Sequence, residues 1–89
     1  EMICIRTLNG SLVMDVKAIK INMRNTPILN EGGYSATFIT DYEVSIEYGN
    51  TGEAITAGRY ETLQKAEEQL SRIYNAIKDD RKVVSLSKE

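Results

Sequence analysis

The side chains with the greatest chemical reach in this 89-residue chain are its arginines and tyrosines. Arg6, Arg24 and Arg59 fall on or at the ends of strand-like segments, with Asn25 beside Arg24 and Tyr60 beside Arg59. A planar guanidinium grips phosphate through paired hydrogen bonds or stacks on a flat base. Tyr34, Tyr42, Tyr48 and Tyr60 add aromatic surface with a polar tip. Arginine on phosphate and tyrosine on a base is the chemistry of a small nucleotide-type ligand. The candidate ligand-binding set is therefore Arg6, Arg24, Asn25, Tyr34, Arg59 and Tyr60. The plainer reading of each is a solvated arginine or a tyrosine that completes the core, and it needs no ligand.

Other chemistries find less to work with. The absence of histidine removes the commonest general base and the commonest metal ligand together. Asp41, Glu43 and Glu47 stand at strand spacing, and paired carboxylates divide acid and base roles only where burial separates their pKa values. Nothing in the sequence marks one of them for burial. Acids alternating along a strand read first as a solvated face that discourages edge aggregation. No catalytic residue is assigned and no enzymatic activity is expected. Asp79-Asp80 and the Asn30–Gly33 stretch lack the ligand spacing of a calcium loop. Gly32-Gly33 enters a strand pattern without the Lys and Ser/Thr of a phosphate loop. No metal and no cofactor are expected. The single Cys4, among Met2, Ile3 and Ile5, reads as a core thiol in a reducing compartment.

Composition narrows the partners. A formal net charge of −2 leaves no basic excess to neutralise many phosphates, so no DNA or RNA polymer is expected as a partner. No apolar run approaches the ~18 residues of a membrane span, and no secretory pattern is present, so a cytosolic setting is expected.

These side chains need a scaffold, and the periodicities describe one domain over residues 1–89 of α+β class. Residues 2–8 are β-branched and apolar, and Asn9-Gly10 is a strong hairpin signal that pairs them with residues 11–24. Within 11–24 the alternation changes phase: Leu12, Met14 and Val16 share one face, Ile19, Ile21 and Met23 the other. That slip predicts a bulge or bend near Lys17-Ala18. Residues 25–33 hold the only proline and the Gly32-Gly33 pair, and read as a loop. Residues 34–48 alternate, with Tyr34, Ala36, Phe38, Tyr42, Val44, Ile46 and Tyr48 on one face. Residues 53–60 return as a strand. The expected sheet is an antiparallel meander of about four strands.

Thr62 is a suitable N-cap for a helix over residues 62–78, although Lys65 stands where a capping box would have Glu or Gln. Leu63, Ala66, Leu70, Ile73 and Ile77 form its apolar stripe, with Leu70 taken as central. Residues 83–86 are a candidate short fifth strand at the sheet edge. One helix covers one face of a sheet, so Met14, Ile19, Ile28, Leu29 and Ile39 read as surplus apolar surface. A homodimer or higher symmetric oligomer is expected, with a pocket where chains meet.

Two groups of residues carry a resemblance. The opening Ile3, Ile5, Arg6, Thr7, Asn9, Gly10 and the closing Gly58, Arg59, Tyr60, Glu61, Thr62, Ala66, Leu70, Ile73 resemble small proteins of phages and mobile elements of Gram-positive bacteria. In those proteins a β-meander ends in Gly-(Lys/Arg)-Tyr-x-Thr and a capped helix. The resemblance covers both ends of the chain, not the central strand and loop, and its motif is structural. Some phage proteins of this size and shape counter host immunity, and one group sequesters nucleotide signals such as those of Thoeris and cyclic-oligonucleotide defence systems. By that analogy the expected function is non-enzymatic sequestration of a cyclic ADP-ribose isomer or cyclic oligonucleotide in the host bacterial cytosol. The rival expectation is a protein–protein module that inhibits a host protein or serves phage assembly, using surplus apolar surface or a free sheet edge.

Overall fold

The computed structural model describes residues 3–28, 32 and 37–88. Along the chain lie β1 (Cys4–Arg6), β2 (Leu12–Val13), β3 (Val16–Ile28), β4 (Thr37–Tyr48), β5 (Glu53–Tyr60), α1 (Leu63–Lys78) and β6 (Val83–Ser85). The α+β class holds, but the single meander does not. The strands form two three-stranded sheets, ordered β2-β1-β6 and β3-β4-β5.

The Asn9-Gly10 hairpin forms, with Ile5 opposite Val13 and Arg6 opposite Leu12. Gly10 takes φ +91, and the Ser11 N–H donates to Thr7 Oγ1 at 3.1 Å. The strand expected over residues 11–24 breaks at Asp15, whose φ of 55 lies in the left-handed region that a short polar side chain tolerates. The chain thereby leaves one sheet and starts the other. This break, together with a bulge between Val16 and Ala18, is the physical source of the change in alternation phase. The fifth strand anticipated near the C-terminus is β6, which lies parallel to β1 with Ile5 opposite Val84.

The second correction concerns residues 25–33. β3 continues in register with β4 as far as Ile28 opposite Thr37, so residues 25–28 are strand and not loop. Positions 29–31, 33 and Tyr34 lie outside the described residues. β5 pairs only with Tyr42–Tyr48 of β4. Beyond Tyr42 the paired β3 and β4 therefore run on as a two-stranded ribbon, and the molecule is elongated, 54 × 28 × 19 Å.

Thr62 caps α1, its Oγ1 accepting from the Lys65 N–H at 3.1 Å. The helix ends where the Arg81 N–H donates to the Ala76 carbonyl at 2.8 Å and Asp80 takes φ 58. Its buried side chains are Ala66, Gln69, Ile73 and Ala76, a stripe rotated from the expected one. Leu70 is only half-buried, and Leu63 and Ile77 are exposed. The small Ala66 and Ala76 allow close approach to β4 and β5.

The core joins Ile5, Val13, Val84 and Leu86 on the first-sheet side to Val44, Ile46, Ala57 and Tyr60 of the second, with Ala66 and Ile73 of α1 between. Gln69, 1 % exposed, is satisfied by the Ser87 N–H at 2.9 Å. The two sheets touch where the Leu8 N–H donates to the Ala57 carbonyl at 2.9 Å. Gly58 gives the Leu8 side chain room there: a Cβ on it would lie 2.8 Å from Leu8 Cδ1 and 3.0 Å from Tyr60 Oη, so those side chains would have to shift. No helix among the described residues is long and apolar enough to cross a membrane.

Candidate functional site

The register of the second sheet sets Arg59 opposite Glu43 and Arg24 opposite Asp41. Since successive side chains alternate, Arg24, Asp41, Glu43 and Arg59 share one face. Arg24 Nη1 lies 3.3 Å from Glu43 Oε2, and Arg59 Nε lies 3.4 Å from the same oxygen. The Glu43 side chain is 15 % exposed, against 40 % and 55 % for the arginines. One carboxylate thus holds two guanidinium groups across three strands. Asp41 Oδ1 is buried without a hydrogen-bond partner among the described residues. With Asp41 and Glu43 beside Arg24 and Arg59, the charge of this cluster balances.

The other sequence-predicted residues are dispersed. Asn25 lies on the opposite face of the ribbon, its Oδ1 accepting from the Thr40 hydroxyl at 2.6 Å. Arg6 is exposed in the other sheet, where its carbonyl accepts from the Leu86 N–H at 3.0 Å. Tyr60 is a core residue, 3 % exposed, donating its hydroxyl to the Ser87 carbonyl at 2.8 Å. Burial raises its pKa above the ordinary value of 10.0, and the charge of Arg72 opposes that shift. Tyr34 lies outside the described residues. The structure therefore unites Arg24 with Arg59 and separates both from Arg6 and Asn25.

One feature was missed by sequence reasoning and a second was foreseen only in part. Arg59 also lines a depression of about 210 Å³ with Tyr60, Glu61, Lys65 and Lys88. A neighbouring groove of about 440 Å³ shares Arg59 and Lys88 and adds Leu8, Asn9 and Gly58. The signal for Lys65 was present, since a cation in the first helical turn opposes the helix dipole. Lys88 carried no such signal.

The second feature is apolar. On the ribbon Met23 and Phe38 are 62 % and 57 % exposed, and on its other face Ile39 is 57 % and Ile28 36 % exposed. Met23 and Phe38 continue the inward-facing pattern of Tyr42 and Val44, but Met23 lies at the last rung paired with β5 and Phe38 beyond it, and both are exposed. Of the side chains expected to be surplus, Met14, Ile28 and Ile39 are exposed, Ile19 packs half-buried on the core, and Leu29 is outside the described residues.

Compared with known proteins, the chain matches no family model, no curated protein and no solved structure.

Proposed function

We propose that this domain is a non-enzymatic protein-association module whose working surface is the β3–β4 ribbon and whose occupant is a second copy of the chain. The observation that carries this reading is the exposure of Met23 and Phe38 on one face, and of Ile28 and Ile39 on the other, at the end of β3 and β4 where pairing with β5 stops. Apolar side chains gathered in this way mark surfaces that are covered in the working state. Residues 25–28 and 37–40 contain no charged side chain, so two identical copies meet there without like-charge repulsion. A two-fold dimer requires such a self-complementary patch. Nearer the core, Lys17, Lys20 and Arg24 line the outer strand β3 and discourage edge pairing, which confines contact to the uncharged end.

Light scattering on size-separated protein over a range of concentrations tests the reading. Wild type is expected to be dimeric, and Phe38→Lys is expected to weaken association by at least about tenfold, as loss of a central aromatic anchor does. Unchanged circular dichroism in the variant excludes unfolding as the cause. A wild type that stays monomeric at every concentration overturns the proposal.

Sequestration of a nucleotide-derived immune signal by a phage-type protein is the other reading, supported by Arg24 and Arg59 meeting at one carboxylate. It draws less from the geometry, because Asp41 and Glu43 balance those charges and Tyr60 is committed to the core. Calorimetry against cyclic ADP-ribose isomers and cyclic oligonucleotides tests it, and absence of heat with all of them removes it.

A further inference from the structure

We infer that the depression at the head of α1 binds a small phosphate-bearing anion, a phosphomonoester or a diphosphate, independently of the ribbon. Its cations come from three separate parts of the chain: Arg59 from β5, Lys65 from the first turn of α1 and Lys88 from the segment after β6. Glu61 is the one acid among its lining residues. The lining therefore holds three cations and one acid, with Arg59 also paired to Glu43, inside a chain whose net charge is −2.

Among the described residues Lys17 lies 3.2 Å from Asp15, and Arg24 and Arg59 are both held by Glu43. Lys65 and Lys88 have no ion pair within 4.0 Å among the described residues. Arg59 meets Glu43 through Nε, which leaves both Nη nitrogens of its fork as donors for another acceptor.

The helix adds to the positive field. The first turn of α1 contains no acidic residue, although that end of a helix favours negative charge. The Thr62 hydroxyl accepts from the Lys65 N–H, so the N–H groups of Leu63 and Gln64 are the ones left without an intrahelical partner. Two lysines and an arginine beside a positive helix end repel one another when the depression is empty. A dianion adds an attraction to each cation that offsets their mutual repulsion, and phosphate offers several oxygens at once to donors that converge from three directions.

The volume of about 210 Å³ suits a phosphate group with little attached to it. The groove that shares Arg59 and Lys88 has the Leu8 side chain and the Gly58 backbone on its wall, and it takes the uncharged remainder of the ligand. Tyr60 serves as wall only, because its hydroxyl is committed to Ser87.

Amide chemical-shift titration with inorganic phosphate, pyrophosphate and ADP, at constant ionic strength against a chloride control, tests the site. Saturable shifts are expected at residues 62–66 and 88, strongest for pyrophosphate and ADP. Lys65→Glu and Lys88→Glu are each expected to weaken binding at least tenfold. Lys65→Glu also completes a capping box with Thr62, so the exposed Lys88 gives the substitution that leaves the helix start unchanged. The ribbon variant Phe38→Lys is expected to bind as wild type does, which separates this site from the association surface. Shifts that chloride reproduces, or charge-reversed variants that bind unchanged, overturn the inference.

Discussion

At the scale of single residues, the polar side chains with the clearest geometry act on the fold. Tyr60 bridges the second sheet to the segment after β6 through its bond to the Ser87 carbonyl. Because burial raises its pKa, the folded state keeps a phenolic proton that the unfolded chain releases at the ordinary value of 10.0. Its contribution is complete below that pH and is lost as pH rises through the folded-state value. Urea titrations above pH 10 are expected to show wild type losing stability faster than Tyr60→Phe, which has no proton to release. Glu43 is the second case. Glu43→Gln leaves Arg24 and Arg59 without their shared carboxylate, and, given the exposure of both arginines, is expected to cost about 1 kcal/mol. The difference in denaturation midpoint between wild type and variant at low and high salt checks it, and the gap is expected to narrow with salt. That Arg24 and Arg59 belong together was legible in the sequence only as a shared residue type. Their meeting at Glu43 depends on the pairing register of three strands.

At the scale of elements, the helix illustrates how far periodicity reaches. Spacing alone located α1, its Thr62 cap and its length to within a residue at each end. It did not select the right stripe, because Leu63, Leu70 and Ile77 compete with Ala66, Ile73 and Ala76 for the inward direction. Close packing against β4 and β5 settled the competition in favour of the small residues. Ile73→Ala is accordingly expected to cost about 2–5 kcal/mol and Leu70→Ala distinctly less, in paired denaturation curves. Equal losses would mean that the helix is rotated toward the expected stripe. The break at Asp15 was visible as a change of phase, and its left-handed backbone was not, since asparagine, aspartate and glycine are merely permissive of that conformation.

At the scale of the whole molecule, an α+β chain with one helix has too little cover for its sheets, and that much followed from the count of elements. The uncovered apolar part is not spread over a sheet face, as one meander would have left it. It is the far end of β3 and β4, where β5 stops at Tyr60 and turns into α1. The dimer expected by light scattering places its contact at that end. By itself the sequence determined the class, the Asn9-Gly10 hairpin, the capped helix and the surplus of apolar side chains, because turn chemistry, capping and hydrophobic period act over a few neighbouring residues. Only the tertiary structure decided that there are two sheets, that Met23 and Phe38 lie outside the core, and that Arg59, Lys65 and Lys88 surround one depression. Those outcomes depend on which strand ends first and which distant segments it brings together, and no local pattern encodes that choice.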